Sequence, residues 1–497
     1  MTEALRAQTI SGLRWTVINA IGEKALSFGT TVVLARILDP HHFGLYALAF
    51  VAIDSLGVFK NLGLDAAIVQ RKDRVDEAAD TAFVVQPILA LSLYALLAVC
   101  APFIAQLLQH PEISEPIRVL GLIIVVMSLG NVPAALIQKT MRFRLRTLSN
   151  LTGMVVYAVM AIILARRGAG VFSLITAYLM RWTVCTVIQW LSLGWVPRFR
   201  FDWELFKEML HFSKYIVGTW TIAFLSMNVD RLVIGRWLGI TELGYYTLCM
   251  GLATLVASQI SARAYQVVFP AFSQVQKTPD LVRKGFLKLV KYLLLAACPA
   301  AVLLMMLPKD LLHAFYGPKW WVAGPILQVL AVFGIAETLR LGTDSALLGA
   351  GKQRLVFKLS LVHLLVQGTG GVWMAHIGSI TGVAWMVTLA SGFPALIMLT
   401  VMGKSLNLKT RDWWNTLRTC LMATAVMVGV LLLAHWLRRP LLGTGQPSGI
   451  WLATTLLSSL GVYVFTLWRM DPSVTEDVAH LAGFRLPVFK GSKGKGA

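Results

Sequence analysis

Apolar runs of about twenty residues or more follow one another along nearly the whole chain, and a helix of that length spans the hydrocarbon core of a bilayer. Fourteen such runs are read, at 15–38, 43–66, 82–109, 115–138, 148–166, 169–193, 212–235, 243–269, 286–307, 321–347, 355–376, 379–402, 413–436 and 449–468. They are expected to be helices, because lipid offers no partner to an unpaired backbone amide. Pro102, Pro133, Pro299, Pro325 and Pro394 fall inside them and predict kinks. With 57% hydrophobic and 14% charged residues, a soluble chain of this size could not cover its core. The class is an all-α polytopic membrane protein.

The 45 Lys and Arg residues are distributed unevenly over this map. With residues near a span end counted to the loop they adjoin, thirty lie in the termini and loops on the side that holds both chain ends, nine in the opposite loops and six deeper within spans. Such a bias places both termini in the cytoplasm. The net charge of +21 is thereby accounted for by topology and calls for no nucleic acid. Lys490, Lys493 and Lys495 in the tail are either solvated or close to anionic headgroups. Residues 1–13 are polar and no small-residue cleavage site follows, so no cleavable signal peptide is expected. Residues 202–210, opening on Asp202 as an N-cap, predict a helix lying along the interface, and 473–483 a helix in the tail. The five cysteines all lie in apolar runs without metal-ligand spacing and read as buried hydrophobes.

An internal repeat organises the spans. RILDPHHFGLYAL from Arg36 matches RWLGITELGYYTL from Arg236, so that Arg36, Leu38, Gly44 and Tyr46 recur 200 residues later as Arg236, Leu238, Gly244 and Tyr246. ALIQKTMRFRLRTLS from Ala135 matches ALLGAGKQRLVFKLS from Ala346 at an offset of 211. The chain therefore divides into a six-helix bundle at 1–200, a similar bundle at 201–402, two additional helices at 403–470 and a tail at 471–497. An even number of spans per repeat makes the repeat parallel, with its pseudo-two-fold along the membrane normal, and transporters of this build hold their site between the halves. The repeated corner reads as structural: it closes a tight loop, brings helices together at Gly and sets Tyr at the membrane interface.

Charges inside spans cost about 2.5–3.5 kcal/mol each even on a lenient scale and are kept for a partner or a cavity. Those present are Glu23, Lys24, Asp54, Lys60, Arg181, Asp230, Arg231, Arg263, Glu337, Arg340 and Asp344. Glu337, Arg340 and Asp344 share one helix face at i, i+3 and i+7. At an offset of 211 their counterparts are Val126, Leu129 and Pro133, so the buried charges break the repeat that the corner keeps. Two readings stand. The charges neutralise one another, with Glu23/Lys24 and Asp230/Arg231 pairing across helices, or the basic ones line one cavity suited to an anionic ligand such as a diphosphate. The carboxylates Glu23, Glu337 and Asp344 suit coupling to a proton or sodium ion. Trp15, Tyr157, Trp182, Tyr215 and Trp373 either stack on sugar rings or serve as interface and packing residues.

No P-loop is present: Gln353 follows Gly351-Lys352, and Gly403-Lys404-Ser405 has Met398 where the upstream glycine belongs. No catalytic motif, metal-ligand set or cofactor signature is seen, and the loops leave no room for a soluble catalytic domain.

The stretches LARILDPHHFGLYALAF (34–50), NLGLDAAIVQRKD (61–73) and ALIQKTMRFRLRTLSN (135–150) resemble the polysaccharide transporters of the multidrug/oligosaccharidyl-lipid/polysaccharide flippase superfamily. The resemblance is to the bacterial exopolysaccharide and O-antigen repeat-unit flippases labelled lipopolysaccharide biosynthesis proteins. It implies a non-enzymatic protein of the bacterial inner membrane. Its cargo would be an undecaprenyl-diphosphate-linked oligosaccharide, turned from the cytoplasmic to the periplasmic leaflet, with a polysaccharide polymerase complex as a partner. By position on the spans, Lys24, Arg181, Arg231, Arg263 and Arg340 would then meet the diphosphate and sugar acids, and spans 13 and 14 would cradle the lipid tail. The alternatives are a multidrug or cation antiporter of the same fold, which should favour a net acidic cavity, or a membrane enzyme of polysaccharide assembly.

Overall fold

The apolar runs become long helices in the computed structural model, which describes residues 3–60, 62–275, 278–442 and 449–472. The side chains of 3–14, 58–60, 211–223, much of 256–279 and 438–442 lie outside that description. The helices are α1 (Glu3–Ile37), α2 (Pro40–Lys60), α3 (Leu64–Gln70), α4 (Val75–Leu107), α5 (Ser114–Lys139), α6 (Phe143–Arg166), α7 (Val171–Leu193), α8 (Trp203–Trp237) and α9 (Ile240–Val275). They continue as α10 (Pro279–Met306), α11 (Pro308–Tyr316), α12 (Gly324–Gly349), α13 (Gln353–Leu365), α14 (Gly371–His376), α15 (Ile380–Ser405), α16 (Thr410–Leu442) and α17 (Gly449–Met470). A single π-helical turn, Val366–Gly370, joins α13 to α14. No strand occurs among the described residues. Eleven helical stretches there are long and apolar enough to cross a membrane. The expected spans 43–66, 212–235 and 243–269 are not among the eleven; they fall on α2, α8 and α9, which carry Asp54, Asp230 with Arg231, and Arg263 in their apolar runs.

Three expectations change here, and one lies outside the described residues. The span expected to reach residue 66 ends as α2 at Lys60, and Leu62 (φ 46°) and Gly63 (φ 69°) turn the chain into the short α3. The separate interfacial helix expected at 202–210 is instead the start of α8. Asp202 does cap it, accepting from Leu205 N at 3.0 Å, but Leu205 and Met209 are buried and the helix runs on without a break. That cap and the Arg74 guanidinium hold the Asp202 carboxyl below the usual carboxylate range. Pro325 is the second residue of α12, where its missing N–H removes no helical bond. Pro102, Pro133 and Pro394 do lie inside helices, as does Pro299. The helix expected at 473–483, and the tail lysines, lie outside the described residues.

The second repeat match also shifts by one residue. α5 ends at Lys139 and α6 starts at Phe143, while α12 ends at Gly349 and α13 starts at Gln353, an offset of 210 rather than 211. Both turns use a left-handed residue, Met141 (φ 57°) and Gly351 (φ 77°), whose N–H groups bond back to Gln138 O and Leu348 O at 3.1 Å. In this register Glu337, Arg340 and Asp344 correspond to Met127, Gly130 and Ala134. The charges break the repeat in either register.

Contacts group the chain into two compact units. One comprises Met1–Met250, Phe315–Ile326 and His363–Val387; the other comprises Gly251–Ala314, Leu327–Val362 and Thr388–Ala497. In the first, α6 separates α1 from α7 and touches both at glycines. A Cβ at Gly22 would stand 2.9 Å from a Leu151 methyl, and one at Gly153 would stand 2.4 Å from Cys185 Sγ and 2.9 Å from Arg181 O. α3 packs into a cluster formed by Ala78, Ala82, Phe83, Val132, Leu136, Leu205 and Met209. The Lys139 ammonium closes that cluster. It donates to the carbonyls of Ile68 (3.0 Å), Val69 (3.3 Å) and Arg71 at the end of α3. Lys139→Met keeps the aliphatic stem but removes this donor, and is expected to cost about 2 kcal/mol, read as a lower Tm in detergent with faster amide exchange confined to residues 64–71. An unchanged Tm and exchange pattern would show that the cap contributes nothing.

In the second unit the two C-terminal helices are tied to α10. Lys291 pairs with Asp471, Arg283 Nη2 meets Asp412 Oδ2 at 2.5 Å, and the Tyr463 hydroxyl donates to Leu295 O at 2.9 Å. Phe286, Val290, Leu347, Leu359, Met398 and Met402 form its core.

Candidate functional site

The repeated corner shows what the duplicated scaffold is for. α1 and α2 meet between Ile37 and Pro40, and α8 and α9 meet between Trp237 and Ile240, at the offset of 200 read from the sequence. The two corners touch each other. A Cβ on Gly44 would stand 1.9 Å from Ile240 O, and a Cβ on Gly244 would stand 1.9 Å from Pro40 O. Residues 40 and 240 are themselves counterparts, so the contact is reciprocal, as a local two-fold axis requires. Glycine is required here by close approach of backbone to backbone. The corner tyrosines are not interface anchors. Tyr246 is fully buried and its hydroxyl donates to Asp230 Oδ2 at 2.5 Å, and Tyr46 packs against Phe50 and Tyr178.

A short segment seals this corner. Trp320, fully buried, sets its ring edge-on to Phe43 and Tyr245 and donates from Nε1 to Ala35 O at 2.8 Å. Arg36 Nε donates to Phe315 O at 3.0 Å, and Lys319 Nζ meets Asp39 Oδ1 at 2.7 Å. Lys319 holds the Asp39 carboxyl below the usual range. Sequence reasoning passed over this segment because it lies some 280 residues from the corner it covers.

Several of the intramembrane charges are paired: Arg340 with Glu337 and Asp344 as expected, but Glu23 and Asp230 with partners other than each other's helices. Arg181 on α7 meets Glu23 on α1, Nη2 to Oε1, at 2.5 Å. Its guanidinium lies 5.4 Å from the Trp182 ring centre, and its Nε is buried with no hydrogen-bond partner. Asp230 pairs with Tyr246, as above, and Arg231 Nη1 donates to Asn228 Oδ1 at 3.1 Å. In the second unit Arg340 grips Glu337 with two bonds, Nε to Oε2 at 2.8 Å and Nη2 to Oε1 at 2.6 Å. A longer one runs from Nη1 to Asp344 Oδ2 at 3.3 Å, and Asp344 Oδ1 is buried with no partner. This triad of two carboxylates and one guanidinium has a net charge of −1. Lys24 is exposed beside Glu23, and the side chain of Arg263 lies outside the description. Asn228, Tyr246 and Tyr178 are the polar neighbours that sequence reasoning missed; each sits within one or two helical turns of a charge on its own helix or on a helix packed against it.

The Asp230–Tyr246 bond is a buried charge-assisted contact. Tyr246→Phe is expected to destabilise by at least about 2 kcal/mol, because the carboxylate loses its donor where water cannot replace it. Tyr246→Phe combined with Asp230→Asn should recover part of that loss in the same Tm measurement. Equal Tm for wild type and Tyr246→Phe would mean the bond is not structural.

The second unit also holds a groove of about 720 Å³ between α10, α12, α15 and α16, lined by Leu294, Leu339, Leu396, Leu399, Trp413 and Leu417 together with Lys404. Its wall is mainly aliphatic and, among the described residues, its charged side chain is cationic, a combination that suits a hydrocarbon tail beside an anionic group.

The family model described as polysaccharide biosynthesis protein matches residues 33–325. The teichuronic acid biosynthesis protein TuaB of Bacillus subtilis (strain 168) is 25% identical over 429 residues, 85% of this chain and 88% of that protein. The lipopolysaccharide biosynthesis protein WzxC of Escherichia coli (strain K12) is 26% identical over 373 residues, 72% of this chain and 73% of that one. Among solved structures, the inward closed conformation of the lipid II flippase MurJ superposes with a TM-score of 0.73, covering 93% of this chain and all of that one at 13% identity. At that identity the likeness is one of fold.

Proposed function

The chain belongs to the polysaccharide biosynthesis protein family, and on that footing we propose that it is a flippase for lipid-linked oligosaccharide repeat units. It carries undecaprenyl-diphosphate-linked units from the cytoplasmic to the periplasmic leaflet by alternating access, for exopolysaccharide, O-antigen or capsule synthesis, and it catalyses no covalent chemistry. The observation that carries this reading is the Arg340 triad. A guanidinium and two carboxylates sit inside an apolar helix at positions where the matching helix α5 has only Met127, Gly130 and Ala134. Packing alone does not call for them, and a guanidinium fork is the group that grips a phosphate in two places.

In this reading the cargo diphosphate exchanges with the carboxylates on Arg340, and Lys24, Arg181, Arg231 and Arg263 meet its charges or those of sugar acids along the way. Glu23, Glu337 and Asp344 take up the proton or sodium ion that resets the cycle. Spans 13 and 14, here α16 and α17, hold the isoprenoid tail, and the aliphatic groove against α16 supports that assignment. The fourteen-crossing map with both termini cytoplasmic rests on the thirty-to-nine distribution of basic residues. The domain limits 1–200, 201–402, 403–470 and 471–497 follow from the same map. Delivery to a polysaccharide polymerase complex completes the task.

Deletion of the gene tests the reading. The expected result is loss of surface polysaccharide with accumulation of lipid-linked repeat unit on the cytoplasmic leaflet. Drug hypersensitivity with normal polysaccharide would overturn it in favour of a cation antiporter.

A further inference from the structure

We infer that the cluster around Arg181 is a glycan subsite that reads one pyranose ring of the cargo, with the ring seated on Trp182 and its hydroxyls bound by the Arg181–Glu23 fork. The inference rests on the flippase reading and names what part of the cargo this half of the scaffold recognises.

Three helices build the cluster. Asn19 and Glu23 lie one turn apart on α1, Tyr178, Arg181 and Trp182 share one stripe of α7, and Tyr157 on α6 lies one turn from Gly153, which packs against Cys185 and the Arg181 carbonyl of α7. Around them the aromatic rings form a continuous wall. Tyr178 stands edge-on to Trp182 at 6.4 Å and to Phe50 at 5.8 Å, and Tyr46 joins both Tyr178 (6.5 Å) and Phe50 (6.1 Å). Tyr157, Tyr178, Arg181 and Trp182 are only partly buried, so the wall has an open side.

The polar atoms of the cluster are a mixed set, and the Trp182 Nε1 donor among them is buried with no hydrogen-bond partner. The Arg181 guanidinium spends one nitrogen on Glu23, while its Nε and Asn19 Oδ1 are buried without a hydrogen-bond partner. Buried polar groups in folded proteins are nearly always bonded, so an unmatched donor and an unmatched acceptor in one cluster point to a ligand that supplies both. A hydroxyl does so, being donor and acceptor at once. The formal charge is nearly balanced: while Glu23 is paired with Arg181, the cluster has no net charge that favours an ion over a neutral ligand. A neutral polyol with one apolar face fits. The C–H bonds of a pyranose suit the negative face of an indole, and its vicinal hydroxyls suit a guanidinium–carboxylate fork. The same cluster has no counterpart in the second repeat. Gly168 and Gly378 end matching turns, with φ of 81° and 76°, and in that register Tyr178, Arg181 and Trp182 correspond to Thr388, Ser391 and Gly392. An asymmetric ligand explains a one-sided cluster.

The test uses the purified full-length protein in nanodiscs with two probes, bare undecaprenyl diphosphate and undecaprenyl diphosphate carrying the strain's own repeat unit. Binding is read by microscale thermophoresis. Wild type is expected to prefer the glycosylated lipid by about tenfold. Trp182→Ala should bring the ratio of the two Kd values near one, while Trp182→Phe, which keeps a ring, should retain most of the preference. Arg181→Gln with Glu23→Gln, which keeps the amide hydrogen bonds and removes the charges, should leave a ratio between those two. An unchanged ratio in Trp182→Ala, or a wild type that binds both lipids equally, overturns the glycan subsite and leaves the flippase reading standing. A wild type that binds neither lipid overturns both.

Discussion

Arg340→Ala is expected to abolish polysaccharide export while the protein still inserts in the membrane. The mutation takes the guanidinium away from Glu337, three residues before it, and Asp344, four residues after it, and both are mostly buried, with side-chain exposures of 14% and 15%. Breaking a buried ion pair from one side costs about 3–5 kcal/mol, so Arg340→Ala alone confounds folding with function. The triple variant Arg340→Met, Glu337→Gln, Asp344→Asn removes every charge at similar volume and should restore Tm, because a neutral cluster is often as stable as a buried pair. Export should stay lost in the triple variant if the guanidinium grips the cargo. Surface polysaccharide, membrane abundance and Tm measured together on the three proteins separate the possibilities. Export at the wild-type level in the triple variant would sink the role assigned to Arg340.

Gly44→Val and Gly244→Val are each expected to destabilise the protein by at least about 3 kcal/mol, the upper range for overpacking. The neighbour at each position is a main-chain carbonyl, 1.9 Å from where the new Cβ would stand, and it cannot rotate away as a side chain can. Even Gly→Ala should lower abundance in the membrane and Tm in detergent. Because the two glycines press on counterpart residues, the two single variants should resemble each other, and the double variant should cost less than their sum, since the first already parts the corners. A tolerated alanine at either position, or strict additivity, would mean that the corners are held apart in the working protein.

The spans and the corner were legible because both are local signals. An apolar run of twenty residues carries its own reason to be a helix in lipid, and Gly44 and Gly244 stand in matching strings of sequence. The partner of Arg340 was legible for the same reason, since Glu337 and Asp344 are one turn away on either side. The partner of Arg181 was not: Glu23 lies 158 residues away and is brought near by glycines on the faces of α1 and α6 that carry no charge signal. Asp230, expected to pair across helices with the Glu23/Lys24 charges, is reached instead by a tyrosine from the next helix, because a buried carboxylate takes whichever donor packs against it. The second repeat match was misplaced by one residue because identities on either side of the turn, Ala135 with Ala346 and Ser149 with Ser360, aligned better than the turn itself. The hydrogen bonds at Met141 and Gly351 fix the true register. The interfacial helix failed for a related reason. A capping residue marks where a helix begins, and nothing in 202–210 marked where it would stop.

The reciprocal corner has one more implication. Where two duplicated segments meet with a main-chain carbonyl set against each glycine, the junction depends on those two glycines more than on the side chains around them. Half of this protein grafted onto the complementary half of a distant relative should therefore seat correctly at that point, so the seam of an old gene duplication doubles as a universal coupling for building hybrid transporters.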